Sequence, residues 1–208
     1  MRHVPSSWRR TIGFAGLCLA GWSIAIGLGM SVLWKYNNQP GQASAAPVQW
    51  PLPHTQPLKP NQMTLVMSVH PRCPCTRSSL SELARLMRHA QGKIDCIALF
   101  KQPEEMNEQW INTDLRTRAQ AIPGVRVVID HGGKQTQLLG MKTSGAVVMY
   151  NPSGLRVFDG GITSSRGHEG DNAGRDAILA LLTQPALAIA STPVFGCEIN
   201  NPCPGGSP

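Results

Sequence analysis

Two cysteines separated by one proline, Cys73-Pro74-Cys75, are the residues whose types and spacing point most directly to chemistry. A thiolate attacks disulfides and also binds soft metal ions, so a close pair can be a redox couple or part of a metal site. Cysteine is also often buried as a small apolar residue, which is the purely structural alternative. The arginine beside the pair and the helical pattern behind it favour a reactive pair.

The residues around the pair predict a lowered cysteine pKa. Proline is favoured at the first helical position, and Pro74 there would make Cys73 the capping residue, with its sulfur facing unpaired N–H groups. Arg72 and His70 add positive charge nearby. Residues 79–82 also match a capping box, which would start the regular helix later. A disulfide within Cys-X-Cys closes a small strained ring, which makes it easily reduced and therefore oxidising.

A copper site is the main alternative interpretation of the same residues. Thiolates suit Cu(I), and imidazole also binds copper. His70 is close in sequence to Cys73 and Cys75, and His168 could complete the ligand set. The alternative function is therefore a copper-binding chaperone, which would be a binding protein and not an enzyme.

The remaining cysteines have separate interpretations. The chain has six, of which Cys18 lies in an apolar segment near the N-terminus. Cys96 lies inside a predicted strand and is expected to be a core thiol. Cys197 and Cys203 are predicted to form a structural disulfide, because they lie in a Pro/Gly-rich segment with little core of its own. Alternatively, Cys197 is a third redox cysteine.

The basic character of the chain is explained mostly by membrane topology. There are 19 lysines and arginines against 12 acidic residues, and the formal net charge is +7. Residues 11–34 contain no charge, and such a length of apolar sequence suffices to cross a bilayer as a helix. Arginines precede this segment and Lys35 follows it, so residues 1–10 are predicted to stay in the cytoplasm. The other basic residues are scattered, which argues against nucleic acid binding.

A cleaved signal peptide is the rival interpretation of the same segment. Ala43-Ser44-Ala45 has the small-x-small form of a cleavage site. The apolar run is longer than a usual signal peptide core, and this site lies well beyond its end, so an uncleaved single-pass anchor is favoured. Both interpretations place the rest of the chain outside the cytoplasm, where disulfides persist.

The pattern after the anchor predicts one α/β domain over residues 62–184. Residues 35–61 are expected to be a spacer off the membrane, because residues 37–61 hold six prolines and no apolar periodicity. Residues 185–208 form a cysteine-containing tail. Strands are predicted at 63–70, 94–100, 125–130, 145–150 and 155–158, and helices at 104–119, 134–141 and 173–183. A further helix is predicted directly behind the cysteine motif, with residues 80, 83, 84 and 87 on one face and its end at Gly92. This alternation predicts a central mixed sheet with helices on both faces, and the cysteines follow the first strand, where a ligand site belongs.

At this point the chain resembles the thioredoxin-like superfamily, over residues 63–183. The membrane anchor and the extra strand and short helix before the hairpin resemble the exported branch that includes TlpA-like and peroxiredoxin-like proteins. The stretches "HPRCPCTRSSLSELARL" and "GGITSSRGHEGDNAGRDAI" are most similar to RedB-type thioredoxin-domain proteins of bacteria. The resemblance implies a thioredoxin-like fold and thiol–disulfide exchange, with the domain facing the periplasm from the cytoplasmic membrane.

The sequence departs from this superfamily at two places. The usual motif is Cys-X-X-Cys, and here the pair is one residue tighter, so Cys73 is interpreted as the attacking thiol and Cys75 as the resolving thiol. The usual cis-proline before the strand that faces the motif is replaced by Gly145. The backbone of Ser144 and Gly145 could still approach a substrate chain.

The expected protein is a thiol–disulfide oxidoreductase that needs no cofactor and acts on protein thiols or disulfides, or on another redox protein. The loop before the last helix carries Arg166 and His168, which could line the mouth of the site. Asp171 or Asn172 in that loop could instead only cap the helix.

Overall fold

A computed structural model of the chain describes residues 6–90, 92–183 and 190–200. The chain divides into two compact units, residues 1–38 and 39–208. The first contains helix α1, Ser6–Asn38, whose stretch Gly13–Asn38 is apolar enough to cross a membrane. By length and composition this stretch could equally be a signal sequence.

The second unit is built on a six-stranded mixed sheet with strand order β3-β2-β1-β4-β5-β6. Strands β1, β2 and β3 are parallel to one another, whereas β4 is antiparallel to both β1 and β5. The short edge strand β6 is parallel to β5. The bounds are β1 Met63–Val69, β2 Ile94–Gln102, β3 Val125–His131, β4 Ala146–Tyr150, β5 Arg156–Gly161 and β6 Ala190–Ser191.

Helices cover both faces of this sheet, as predicted. The core on one face includes apolar side chains of α2, α4 and α6, and the core on the other includes Leu139 and Met141, which directly follow α5. The last helix begins and ends where the sequence pattern places it. The bounds are α2 Thr76–Ala90, α3 Glu108–Ile111, α4 Asp114–Gln120, α5 Lys134–Leu138 and α6 Ala173–Thr183.

The single helix predicted at residues 104–119 is wrong, because the structure has two short helices there. The break is at Asn112 and Thr113, where Thr113 is extended, with φ −116° and ψ 164°, and begins α4 as its N-cap. Asn and Thr side chains compete with helical hydrogen bonding and favour such caps and turns.

The predicted spacer also differs from what the structure shows, since much of it packs against the sheet. Trp50 and Leu52 are buried in the second core, and the Trp50 ring lies edge-on to Tyr150 with centroids 5.0 Å apart. The backbone N–H of Ala45 donates to Gly140 at 3.0 Å, and that of Trp50 donates to Gly154 at 2.9 Å. Gln49 also forms an isolated antiparallel bridge with Leu155, so both backbone pairing and buried apolar side chains hold this segment against the sheet.

Candidate active site

The Cys-Pro-Cys motif lies in the turn that joins β1 to α2. Strand β1 lies between β2 and β4, so the motif follows the carboxyl end of a central strand, as predicted. The N–H of Thr76 donates to the carbonyl of Cys73 at 3.1 Å, and that of Arg77 donates to Pro74 at 3.3 Å. A tight turn therefore precedes α2, which begins at Thr76, between the two helix starts that the sequence allowed.

Cys73 is fully buried, and its sulfur lies 2.8 Å from the sulfur of Cys197. Hydrogen bonds from Cys197, then Cys75, and further from the Thr76 hydroxyl lower the pKa of the Cys73 thiol far below its ordinary value, against an opposing contribution from burial. Donors that point at a sulfur stabilise the thiolate, which is the nucleophilic form. These contacts therefore favour the thiolate form of Cys73.

Cys75 has the opposite character. A hydrogen bond with Cys197 acts to lower its pKa, but the hydrogen bond with Cys73, burial and the charge of Cys73 together raise the pKa above the ordinary value. The positive charge of Arg166 opposes this rise. The two motif cysteines therefore differ in pKa, which is lowered at Cys73 and raised at Cys75.

His70 and Arg72 hold the loop that carries the motif. The backbone N–H of His70 donates to the Ser144 hydroxyl at 2.8 Å, and its Nδ1 accepts from the N–H of Arg72 at 3.2 Å. The His70 ring lies edge-on to Trp110, and the Arg72 guanidinium lies 5.5 Å from the centre of the same indole. Trp110 was not singled out from the sequence, since it lies on α3, some forty residues away and without a motif of its own.

Ser144 and Gly145 lie directly opposite the motif. The Ser144 hydroxyl also pairs with that of Thr76 at 2.8 Å. Gly145 has φ +85°, and its N–H donates to the carbonyl of Ser68 at 2.8 Å. An added Cβ there would lie 2.7 Å from the Ser79 hydroxyl, so glycine permits both the backbone conformation and the close approach of α2.

Residues 192–200, here called the closing segment, pair with the backbone just before Gly145. Ser144 donates its N–H to the carbonyl of Cys197 at 2.8 Å, and Ile199 donates to that of Lys142 at the same distance. Thr143 and Glu198 form an antiparallel bridge between these two contacts. The sequence suggested that the backbone of residues 144–145 could approach a substrate. The structure shows that Ser144 instead pairs with a segment of the same chain.

Comparison with known proteins agrees with this architecture. An uncharacterized conserved protein from Geobacillus kaustophilus has a TM-score of 0.56 at 14% identity, covering 81% of this chain and 95% of that chain. A hypothetical protein from Sinorhizobium meliloti 1021 has the same TM-score at 16% identity, covering 80% and 96%. The exposed lipoprotein thioredoxin of Streptococcus pneumoniae strain TIGR4 has a TM-score of 0.41 at 14% identity, covering 60% and 85%. No family model and no curated protein matches the sequence.

The strand order and strand directions are those of the thioredoxin-like fold that the resemblance in the sequence implies. The parallel strands, the antiparallel β4–β5 pair and the cysteine motif between the first strand and its helix agree with the resemblance found in the sequence. At 14–16% sequence identity, the similarity to these structures indicates a shared fold alone.

The polar loop before α6 of this thioredoxin-like unit is tied to a buried carboxylate, Glu82. Asn172 caps α6 by accepting from the N–H of Arg175 at 2.8 Å. Glu82 is fully buried in α2, accepts from the N–H of Gly170 at 2.8 Å and pairs with Arg175 and Arg85. From the sequence Glu82 was interpreted as part of a capping box, and its partners Gly170 and Arg175 lie too far along the chain for local patterns to show them.

The other two residues predicted in this loop have different surroundings. The Arg166 guanidinium donates to the carbonyl of Gly196 in the closing segment, and its charge acts on Cys75. His168 is exposed, and its N–H closes a turn with Ser165. Arg166 therefore belongs to the site, whereas the contacts of His168 are local.

The ligand set of the copper alternative is not assembled by this fold. Within the part of the chain that the structure describes, no three His, Cys, Asp or Glu side chains are grouped so as to hold a metal ion. His70 is 2% exposed and its Nδ1 accepts from Arg72, while His168 lies on the surface. The residues named for copper thus do not fit a shared site.

Two further cysteines were assigned from the sequence. Cys96 is fully buried in β2 within the main core, and burial raises the pKa of its thiol, which confirms it as a core thiol. The predicted partner of Cys197, Cys203, lies outside the described residues. That disulfide therefore stays a prediction, while the described contacts of the Cys197 side chain include Cys73 and Cys75.

Proposed function

We propose that this protein is a membrane-anchored, extracytoplasmic thiol–disulfide oxidoreductase that works through Cys73 of its Cys-Pro-Cys motif. The observation that carries the proposal is the Cys73 sulfur, with a lowered pKa, 2.8 Å from a second thiol at the carboxyl end of a central strand. Thiol–disulfide exchange needs a thiolate to attack and a neighbouring thiol to resolve, and this site supplies both.

The reaction requires only sulfur atoms and protons. The Cys73 thiolate attacks one sulfur of a partner disulfide, which forms a mixed disulfide and releases the other sulfur as a thiolate. A second thiol of the site then attacks the Cys73 sulfur, releases the reduced partner and leaves a disulfide in this protein. Cys75 is the resolving thiol in the sequence-based prediction. An external dithiol, such as that of another redox protein, returns the site to its reduced form.

The function is tested with the full chain in detergent micelles. Oxidised glutathione and a disulfide-bonded protein serve as substrates, and Cys73→Ser should abolish exchange with both. Cys96→Ala is the matched control, because it removes a thiol from the core and leaves the site intact. An active Cys73→Ser variant would contradict the proposal. So would a wild-type protein that retains Cu(I) at stoichiometric level and exchanges no faster than a free dithiol.

The proposed location is the bacterial cytoplasmic membrane, crossed once, with the folded unit in the periplasm. The apolar stretch of α1 and the arginines before it support this topology. The resemblance to RedB-type and TlpA-like proteins supports the same branch. Sequencing the N-terminus of membrane-extracted protein tests it, and a mature N-terminus near Ala46 would overturn the anchor.

A further inference from the structure

The closing segment covers the sulfur that is proposed to react. Val194 and Ile199 are 3% and 2% exposed, so apolar contacts anchor both sides of Cys197. Cys73 beneath it has no exposed surface. A disulfide carried by another protein therefore cannot reach Cys73 while the closing segment is in place.

The backbone around Cys73 favours Cys197 over Cys75 as its partner. Successive i to i+3 hydrogen bonds begin at Cys73 and Pro74, so the motif already turns like a helix. The Cys75 side chain also hydrogen-bonds with Cys73, but a Cys-X-Cys disulfide would close a small strained ring and distort this turn. Cys197 instead approaches from a separate segment, held by the backbone pairing with residues 142–144.

We propose that Cys197 is the resolving thiol, so that the oxidised protein carries a Cys73–Cys197 disulfide and the closing segment acts as a cover that opens for substrate. This inference rests on the proposed function. The closing segment first leaves, which exposes the Cys73 thiolate and the backbone N–H of Ser144. Cys73 attacks the partner disulfide and one partner sulfur departs as a thiolate. When the segment returns, the Cys197 thiolate attacks the Cys73 sulfur, and the second partner sulfur departs.

The closing segment, which carries the proposed resolving thiol, would also compete with the substrate for the backbone of residues 142–144. The Ser144 N–H and Lys142 carbonyl, which now pair with residues 197 and 199, become available to an extended partner chain only when the segment is displaced. When the segment returns, it displaces the partner chain from this backbone. The same step breaks the mixed disulfide that joins the partner chain to Cys73. The substrate class is therefore an extended polypeptide that carries a cysteine disulfide.

Disulfide mapping tests the connectivity. The full chain is oxidised with oxidised glutathione, its remaining thiols are alkylated, and it is cleaved after Arg72, Arg77 and Glu198 by trypsin and a glutamate-specific protease. Cleavage after Glu198 separates Cys197 from Cys203, which trypsin alone leaves in one peptide. The expected crosslink joins peptide 73–77 to the peptide that ends at Glu198, and it persists in Cys75→Ser and Cys203→Ser. A Cys197–Cys203 crosslink, or an internal disulfide in peptide 73–77, would overturn the inference.

Trapping distinguishes the inference from the function on which it rests. With oxidised glutathione, Cys197→Ser should accumulate a glutathione adduct on Cys73, while Cys75→Ser should still resolve it. The reverse result would leave the oxidoreductase intact and restore Cys75 as the resolving thiol. No adduct in either variant and no exchange by the wild type would refute the proposed function itself.

The cover is tested without removing a thiol. An added Cβ on Gly196 would lie 2.0 Å from the carbonyl oxygen of Ser144, so Gly196→Ala should push the closing segment away. Alkylation of Cys73 in the reduced protein should become faster, and the Cys73–Cys197 crosslink should be lost. Unchanged alkylation of Cys73 together with an unchanged crosslink would show that the segment does not cover the thiol.

Discussion

Replacing Gly145 with alanine should destabilise the folded unit in two separable ways. Gly145 has φ +85°, a conformation that L-residues avoid. The new Cβ would also lie 2.7 Å from the hydroxyl oxygen of Ser79 and 3.4 Å from its Cβ. The first effect is confined to the backbone of residue 145. The second is a steric clash with α2, the helix that follows the cysteine motif.

The two contributions have different sizes and different controls. A left-handed conformation costs an L-residue about 1–2 kcal/mol. Overpacking a filled site costs about 1–3 kcal/mol more, so Gly145→Ala should lose about 2–5 kcal/mol. Gly92 has φ +78° and no atom within 4 Å of an added Cβ, so Gly92→Ala should show the backbone cost alone. Adding Ser79→Ala to Gly145→Ala should recover much of the packing cost.

The assay is urea unfolding of the full chain in detergent micelles, followed by near-ultraviolet circular dichroism. With an m-value of about 1–3 kcal/mol per molar urea, the midpoint of Gly145→Ala should fall by about 1 M or more. The free-energy difference between the double variant and the two single variants measures the coupling of residues 79 and 145. An equal loss in Gly145→Ala and Gly92→Ala, with no recovery on adding Ser79→Ala, would refute the contact.

Three other predictions concern charge. Because the pKa of Cys73 is lowered, its stabilising contribution is present above the unfolded pKa of cysteine and is lost as pH falls towards the folded value. The wild type should therefore show a thiolate absorbance that Cys73→Ser lacks, and this difference should persist well below pH about 8.5. A difference confined to higher pH would contradict this. Glu82→Ala removes the acceptor of the Gly170 and Asn172 donors and the buried ion-pair partner of Arg175, and it should cost about 3–5 kcal/mol in urea unfolding. The surface variant Glu169→Ala should cost less than about 1 kcal/mol, and equal losses would refute the buried role. Burial raises the pKa of Tyr150 to about 12, so its contribution is present below the unfolded value of about 10 and is lost as pH rises through 12. Unfolding of Tyr150→Phe should lack this alkaline loss, and an identical pH profile would count against it.

The features that the sequence predicted well depend on local patterns. Helix α6, Ala173–Thr183, follows from its apolar spacing, and β1, Met63–Val69, follows from a short apolar run. The position of Cys73 after a central strand follows from the alternation of strands and helices. The first two signals lie within the elements themselves and the third needs only the order of the elements, so no distant contact is needed to interpret them.

The features that the sequence did not predict depend on partners far along the chain. Glu82 looks like a helix cap until Arg175 and the N–H of Gly170 are brought to it. From the sequence, Cys197 was paired with the nearby Cys203. In the fold, the bridge between Thr143 and Glu198 places Cys197 next to Cys73. Composition and periodicity do not encode which distant segments meet, so these contacts became visible only in the fold.

The contact between Cys73 and Cys197 also has a consequence for biosynthesis, because it joins residues 124 positions apart. During synthesis, Cys73 emerges long before the segment that covers it. Domains generally fold as units, so the sheet completes only when β4 and β5 have followed β1. Throughout that interval the Cys73 thiol has no cover and no neighbour at position 197. If the chain is exported as proposed, the nascent chain therefore passes through a stage in which the Cys73 thiol is open to any oxidant or folding catalyst outside the membrane.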